Sequence, residues 1–275
     1  MSDMSDYSEQ QTVITSTSNQ DIKRLRSLHE RKYRKQTGWF LAEGLRICTE
    51  ALQKGFAPQR LLYEDGRQTD PLIADLIIAC KKAGGRVLPV TRSLLVKVSN
   101  KDNPQTVIGA YQQFSTNLSE IKTADVRCWV ALDRIRDPGN LGTIIRTIDA
   151  VAADGVILID DCTDPFSVES VRASMGAIFT LKVSHCTSEE FITFKREFKG
   201  SVIGTALQSS VDYRTADWRA PCIILMGNEQ AGLPIKLRQA CDQIIAMPMQ
   251  GRADSLNLAV ATGISLYEFL RNQSD

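Results

Sequence analysis

The chain has 275 residues, 43% of them hydrophobic and 24% charged, which suits one large or two modest globular domains and excludes wholesale disorder. Its 33 basic and 32 acidic residues leave a net charge of +1, so a uniformly basic nucleic-acid coat is excluded and any RNA contact must come from local patches. No apolar run approaches the roughly 20 residues needed to cross a bilayer, and no membrane partner is expected.

Residues 1–19 are rich in Ser, Thr and Gln and carry Asp3, Asp6 and Glu9. They lack the apolar core of a secretory signal and the Arg-rich character of a transit peptide, and read as the disordered tail of a cytoplasmic protein. Asp21 to Gln36 is predicted as one helix of high positive charge. It holds Lys23, Arg24, Arg26, Arg31, Lys32, Arg34 and Lys35, interleaved with Leu25, Leu28 and Tyr33. A helix follows over Glu43 to Lys54, with Leu45, Ile47, Ala51 and Leu52 at apolar positions and Gly55 as its stop. Alternation continues with a strand at Arg60–Tyr63, a helix at Pro71–Ala83, a strand at Arg86–Val90, a helix at Ser93–Ser99 and a strand at Thr106–Tyr111. Residues 20–112 thus form an α/β module of viable domain size.

The polar stretch 113–126 is predicted as a linker. A second alternation fills residues 127–275. Apolar runs at Cys128–Leu132, Val156–Ile159, Leu181–Val183, Val202–Thr205, Cys222–Met226 and Ile244–Met247 read as buried strands. Helices are predicted at Leu141–Ala152, Val168–Met175, Glu189–Phe198 and Leu256–Leu270. Doubly buried strands joined by helical crossovers indicate a mostly parallel sheet.

The seven cysteines are dispersed with no CxxC pair, which argues against zinc or disulfides and for a reducing compartment. His29 and His185 sit in no motif, so the chemistry must use other groups, and no metal is expected. There is no GxGxxG after a strand, no Walker-type GK[ST] and no HExxH, which removes the common dinucleotide, NTP and zinc readings.

Ligands of open parallel sheets bind beyond the carboxyl ends of the strands. Three polar clusters follow apolar runs. Asp137-Pro138-Gly139-Asn140-Leu141-Gly142 leads into a helix carrying Arg146 and Thr147, with Asn140 a good helix-capping type. A capped helix with a surface ion pair explains this cluster equally well. Met226-Gly227-Asn228-Glu229-Gln230-Ala231-Gly232-Leu233-Pro234 places a carboxylate between glycines that permit close approach, although many strand–loop–helix turns share that composition. Met247-Pro248-Met249-Gln250-Gly251-Arg252-Ala253-Asp254-Ser255-Leu256-Asn257 opens the last helix, where polar residues also serve as plain caps.

Together, in this order and spacing, the clusters resemble the three motifs of the SpoU (TrmH-like) branch of the SPOUT methyltransferases. Asp137–Thr147 is similar to Asp-Pro-x-Asn-Leu-Gly…Arg-Thr, Gly227–Leu233 to Gly-x-Glu-x-x-Gly-Leu, and Met247–Leu258 to the Ser-Leu-Asn motif, with Met for Ile and Leu for Val at its ends. Val171–Ala177 resembles the family's Val-Arg-x-x-x-Gly-Ala segment. The first module, with Arg31-Lys32-Tyr33-Arg34 and Glu43-Gly44-Leu45-Arg46, is similar to the ribosomal-protein-like (L30e-type) substrate-binding domain many members carry.

The resemblance implies S-adenosylmethionine-dependent 2′-O-ribose methylation of RNA, ribosomal RNA ahead of transfer RNA. It implies a carboxyl-terminal trefoil knot, which no periodicity argument would propose, and a C2 homodimer through the knotted domain. Asn140, Arg146, Glu229, Ser255 and Asn257 become the catalytic set. Thr205, Ala206, Leu207, Gly227, Met247, Met249 and Leu256 become the donor-binding set. In the RNA context, Lys23, Arg24, Arg31, Lys32, Arg34 and Lys35 become an RNA grip, with Tyr33 or Trp39 free to stack on a base. Guanidinium groups stay charged in proteins, so Arg146 is expected to hold a phosphate and stabilise the developing alkoxide rather than act as a base. The competing reading is a non-catalytic RNA-binding or ribosome-assembly protein that kept the fold. A methylase of RNA bases would differ in where the product methyl lies. A phosphate-handling metabolic enzyme is disfavoured by the specific motif set and the basic first module.

Overall fold

The computed structural model describes residues 12–122, 126–206 and 211–273. The chain divides into two compact units, one reaching Gln113 and including Phe166–Val168, the other holding the remainder.

The first unit has a four-stranded mixed sheet in the order β1 (Trp39–Glu43), β4 (Val107–Gln112), β2 (Arg60–Glu64), β3 (Arg86–Val90). Of its helices α1 (Gln20–Ser27), α2 (Arg31–Thr37), α3 (Leu45–Gln53), α4 (Pro71–Lys82) and α5 (Arg92–Ser99), α4 shows local encoding most clearly. Pro71 fits the first turn, and Asp70 accepts the Leu72 amide at 3.0 Å. Ile22 and Leu25 on α1, with Leu28 just beyond it, recur every three residues; all are fully buried in the core with Leu41, Leu62 and Leu88.

The predicted helix Asp21–Gln36 is broken into α1 and α2. In a continuous helix the carbonyls of Leu28 and His29 would bond to amides four residues ahead. Here Arg34 reaches back and donates to both, each at 2.8 Å, while Glu30 is extended. A strand, β1, occupies Trp39–Glu43, where the pattern predicts none short of the helix at Glu43. All five of its residues are buried, and Leu41 opposes Ala110 across the antiparallel pair with β4. Within the expected tail, Ile14 bridges to Val90 and donates to Pro89 O at 2.9 Å, and Asn19 caps α1. Residues 1–11 lie outside the described residues.

The second unit carries a seven-stranded, wholly parallel sheet. Its order is β7 (Lys182–Cys186), β6 (Gly155–Ile159), β5 (Cys128–Asp133), β10 (Cys222–Met226), β8 (Ser201–Thr205), β11 (Gln243–Ala246), β9 (Val211–Asp212). The helices are α6 (Pro138–Ala150), α7 (Val168–Ala173), α8 (Ser188–Glu197), α9 (Ile235–Ala240) and α10 (Leu258–Arg271). The central strands β5 and β10 are buried at every residue and lie directly side by side, so the loops at their carboxyl ends are neighbours. Helix α10 packs against α6 and β10, returning the third motif to the first two. In the stretch predicted as a linker, the Thr116 amide donates to Val183 O at 2.8 Å and Ile121 and Val126 join this unit's core.

Candidate active site

The first motif forms the β5–α6 turn. Helix α6 begins at Pro138, and Asp137 caps it by accepting the Asn140 amide at 2.6 Å. The sequence expectation gave that capping role to Asn140. Because Pro138 favours the first helical position, the cap falls at Asp137, three residues earlier than expected, and the Asn140 side chain is left for tertiary contacts.

Those contacts join all three motifs. Asn140 Nδ2 donates to Glu229 Oε1 at 3.4 Å, and Asn140 Oδ1 accepts from Asn257 Nδ2 at 3.0 Å. Asn257 Oδ1 in turn accepts the Ala259 and Val260 amides at 2.9 and 3.3 Å, so this residue does cap α10. Glu229 also accepts the backbone amides of Arg136 and Asp137 at 3.3 and 3.4 Å. An exposed carboxylate thus sits against the amino end of α6, where the helix dipole favours negative charge. The amide chain has one sense: Asn257 donates to Asn140, and Asn140 to Glu229. Each side-chain amide keeps a second N–H for a ligand.

Arg146 lies on α6, exposed, with no hydrogen bond or ion pair among the described residues. Ser255 does not join the amide chain. It lines a cavity of about 100 Å³ with Thr205, Ala206, Met247, Met249 and Leu256, and Ile245, Ala246 and Ala261 complete the wall. Five of the seven predicted donor residues therefore line one cavity. Gly227 is not among its walls. A Cβ there would lie 2.4 Å from the backbone of Gly232 and Leu233, so Gly227 lets its own loop double back. Leu207 lies outside the described residues. The walls are aliphatic and thioether groups with the hydroxyls of Thr205 and Ser255, a composition that fits a flat heterocycle with a polar edge. A second cavity of about 210 Å³ shares Met247, Met249 and Leu256 and adds Tyr213 and Ile264.

Sequence reasoning missed Asn228, Ile245, Ala246 and Ala261. Asn228 differs from the others in being polar and bonded through both its oxygen and its nitrogen, accepting from Gln230 N and Ala231 N and donating to Arg134 O. Its only signal was its place beside Glu229. Burial raises the Cys162 thiol to about 11 and the Cys186, Cys222 and Cys241 thiols to about 12, which disfavours a reactive thiolate at these four.

In the first unit, Lys23, Arg24, Arg31, Lys32 and Lys35 are exposed on α1 and α2. Arg34 is withdrawn from the predicted RNA grip, since it is only 3% exposed and is spent on the carbonyls of the α1–α2 break. Trp39 is withdrawn as a stacking platform. It is buried, and the Arg24 and Arg60 guanidinium groups lie 3.9 and 5.1 Å from its ring centroid.

Comparison with known proteins finds two family models along the chain. Residues 127–267 match the SpoU rRNA Methylase family model, and residues 19–109 match the MRM3-like substrate binding domain. A 23S rRNA guanosine 2′-O-methyltransferase of Bacillus subtilis is 30% identical over 92% of this chain and 97% of its own length. An AdoMet-bound rRNA methyltransferase from Sinorhizobium meliloti superposes with a TM-score of 0.90 at 42% identity, covering 96% of this chain and 99% of that one. The SpoU methyltransferase AviRb from Streptomyces viridochromogenes, in complex with the cofactor AdoMet, superposes with a TM-score of 0.82 at 29% identity over 93% of this chain and 98% of that one. With three motifs joined by one amide chain and a family match over more than half its length, the chain belongs to the SpoU rRNA methylase family.

Proposed function

We propose that this protein transfers the methyl group of S-adenosylmethionine to a ribose 2′-hydroxyl of ribosomal RNA. The observation that carries the reading is the convergence of Asn140 in the first turn of α6, Glu229 in the loop after β10 and Asn257 at the cap of α10, together with a cavity that receives Ser255 and Leu256 from the third motif. A pure RNA-binding protein has no use for such a combination, and the named relatives are rRNA methyltransferases.

When bound, the donor supplies an electrophilic methyl group for in-line displacement. The chain's own residues must align the ribose oxygen and manage its proton. Alignment alone supplies about 7–11 kcal/mol in favourable cases. The spare amide hydrogens of Asn140 and Asn257 orient the ribose. Arg146 holds the adjoining phosphate and stabilises the charge that develops as the hydroxyl loses its proton. Glu229 fixes the direction of the amide chain, and the proton leaves to water beside its carboxylate. Thr205 and Ala206 at the end of β8, with Met247, Met249 and Leu256, hold the donor, and the flexible methionines let the cavity widen around it.

The first unit is proposed as the RNA substrate-binding domain, gripping phosphates through Lys23, Arg24, Arg31, Lys32 and Lys35. The second is proposed to end in a trefoil knot. Its strand order supports this, since β10 inserts between β5 and β8 and the chain then crosses β8 to reach β11. A homodimer through the second unit is supported by Val260 and Tyr267, seven residues apart on α10 and 51% and 56% exposed. A cytoplasmic location follows from an rRNA substrate, and transfer RNA is the second candidate.

The test uses labelled S-adenosylmethionine with ribosomal and transfer RNA lacking the modification, digested to nucleosides. A labelled 2′-O-methylnucleoside, lost in Asn140→Ala, is the expected result. Label on a base would overturn the ribose assignment, and no transfer by donor-bound protein would favour the binding-protein reading.

A further inference from the structure

We propose that Asn228 is a positioning residue for methyl transfer, acting through Glu229; the inference rests on the methyltransferase reading of the same loops. Asn228 lies at the carboxyl end of β10, immediately before Glu229. Its side chain does two jobs at once. Oδ1 accepts the amides of Gln230 and Ala231, both at 3.0 Å, which folds the loop that carries Glu229. Nδ2 donates to Arg134 O at 2.8 Å, which ties that loop to the one after β5. The Gly232 amide closes the turn on Asn228 O at 2.9 Å.

The far end of the tie is itself fixed. Arg134 has φ +49°, a left-handed conformation uncommon outside glycine, asparagine and aspartate. Its guanidinium holds the carboxylate of Asp133, a fully buried side chain at the end of β5, through bonds of 2.9–3.2 Å. Two residues further on, the Arg136 and Asp137 amides meet Glu229 at 3.3 and 3.4 Å. These two contacts are long, and the bond to Asn140 Nδ2 is equally long at 3.4 Å, so none of the three can set the loop spacing by itself. The Asn228–Arg134 bond is the short link between the two loops. It holds Glu229 at the distance from α6 where it can orient the Asn140 amide.

The residue type follows. The position needs one donor and one acceptor that can take two N–H groups, on a short stem. Aspartate keeps the acceptor and loses the donor, setting a carboxylate oxygen against Arg134 O. Serine has both functions but falls short of Arg134.

The experiment compares N228D, N228S, E229Q and N228D/E229Q with the unsubstituted full chain. It reads methyl transfer to unmodified 23S rRNA, donor affinity by calorimetry, and hydrogen exchange of the Arg136, Asp137 and Asn140 amides in the unliganded protein. The expected results are a kcat lowered about 10- to 100-fold in N228D and N228S and a donor affinity changed less than about threefold. Exchange at these three amides should rise at least about tenfold, in line with a loosened local structure. In the E229Q background, N228D should cost less than about threefold more. Unchanged exchange, unchanged kcat, a loss matched by weaker donor binding, or full multiplication of the two losses would each overturn the proposal. Absence of transfer by the unsubstituted protein, with the exchange effect present, would instead count against the methyltransferase reading alone.

Discussion

Asn140 is the residue at which the site's chemistry is most exposed to test. Its amide is oriented by a carboxylate on one side and an amide on the other, so substitutions can be chosen to break one bond at a time. Asn140→Asp keeps the shape and the acceptor for Asn257 but loses the donor to Glu229, and it places two carboxylates where one amide bond stood. Like charges at such distances repel. We therefore expect Asn140→Asp to lower the rate of methyl transfer more than Asn140→Ala does at neutral pH, with both at least about 10²-fold below the parent. Equal rates for the two variants would show that the Glu229 contact carries no weight. Arg146 calls for a different comparison, because it is exposed and unpaired among the described residues. Arg146→Lys keeps the charge and loses the planar fork. RNA affinity should fall less than about fivefold while the rate falls about 10²–10³-fold, the range seen when one donor to a developing anion is lost. Rate and affinity falling together would make Arg146 a simple phosphate grip.

At the scale of the element, local chemistry and long-range contacts divide the credit for what the sequence reveals. Strands β3 and β10 match their predicted bounds, and α4 differs only at its last residue, because apolar runs and Pro71 are local signals. The break between α1 and α2 was not legible, since it depends on a guanidinium six residues away capturing two carbonyls. β1 was missed although Trp39–Ala42 is an apolar run like that of β10, because the charged Glu43, buried at its end, reads as the start of the next helix. The site follows the same rule. Motif spacing points to Asn140, Glu229 and Asn257, but the cap at Asp137 and the tie made by Asn228 are geometric facts. The basic face of α1 and α2 can now be separated from its support. Arg34→Ala should destabilise the protein by about 2–4 kcal/mol in denaturant unfolding, because it strands two carbonyls in the interior. Lys32→Ala with Lys35→Ala, both exposed, should leave stability within about 0.5 kcal/mol. That pair should weaken RNA binding and flatten its salt dependence by roughly two phosphate contacts. A salt slope unchanged by the pair would remove α2 from the RNA interface.

For the molecule as a whole, the cysteines show how its interior responds to pH. Burial raises the Cys48, Cys80 and Cys162 thiols to about 11 and the Cys186, Cys222 and Cys241 thiols to about 12, against an ordinary value of 9.0. These cysteines lie in both units, so the effect is not confined to one core. In every case the neutral thiol is favoured by the fold, and the unfolded chain releases its protons first as pH rises. Between pH 9 and about 12 the unfolded state therefore binds fewer protons than the native state, and stability must fall with pH across that window. Below pH 9 both states hold the protons, and the contribution is fully present. The expected outcome is a urea midpoint that declines from pH 8 to pH 10 as the unfolded thiols ionise. Replacing half-buried Cys186 and Cys241 with alanine lowers the midpoint at pH 8 through lost packing, yet it should make the decline shallower because two titrating groups are gone. A slope identical to the parent's would mean that these thiols ionise alike in both states, and that the burial seen around them does not govern their protons.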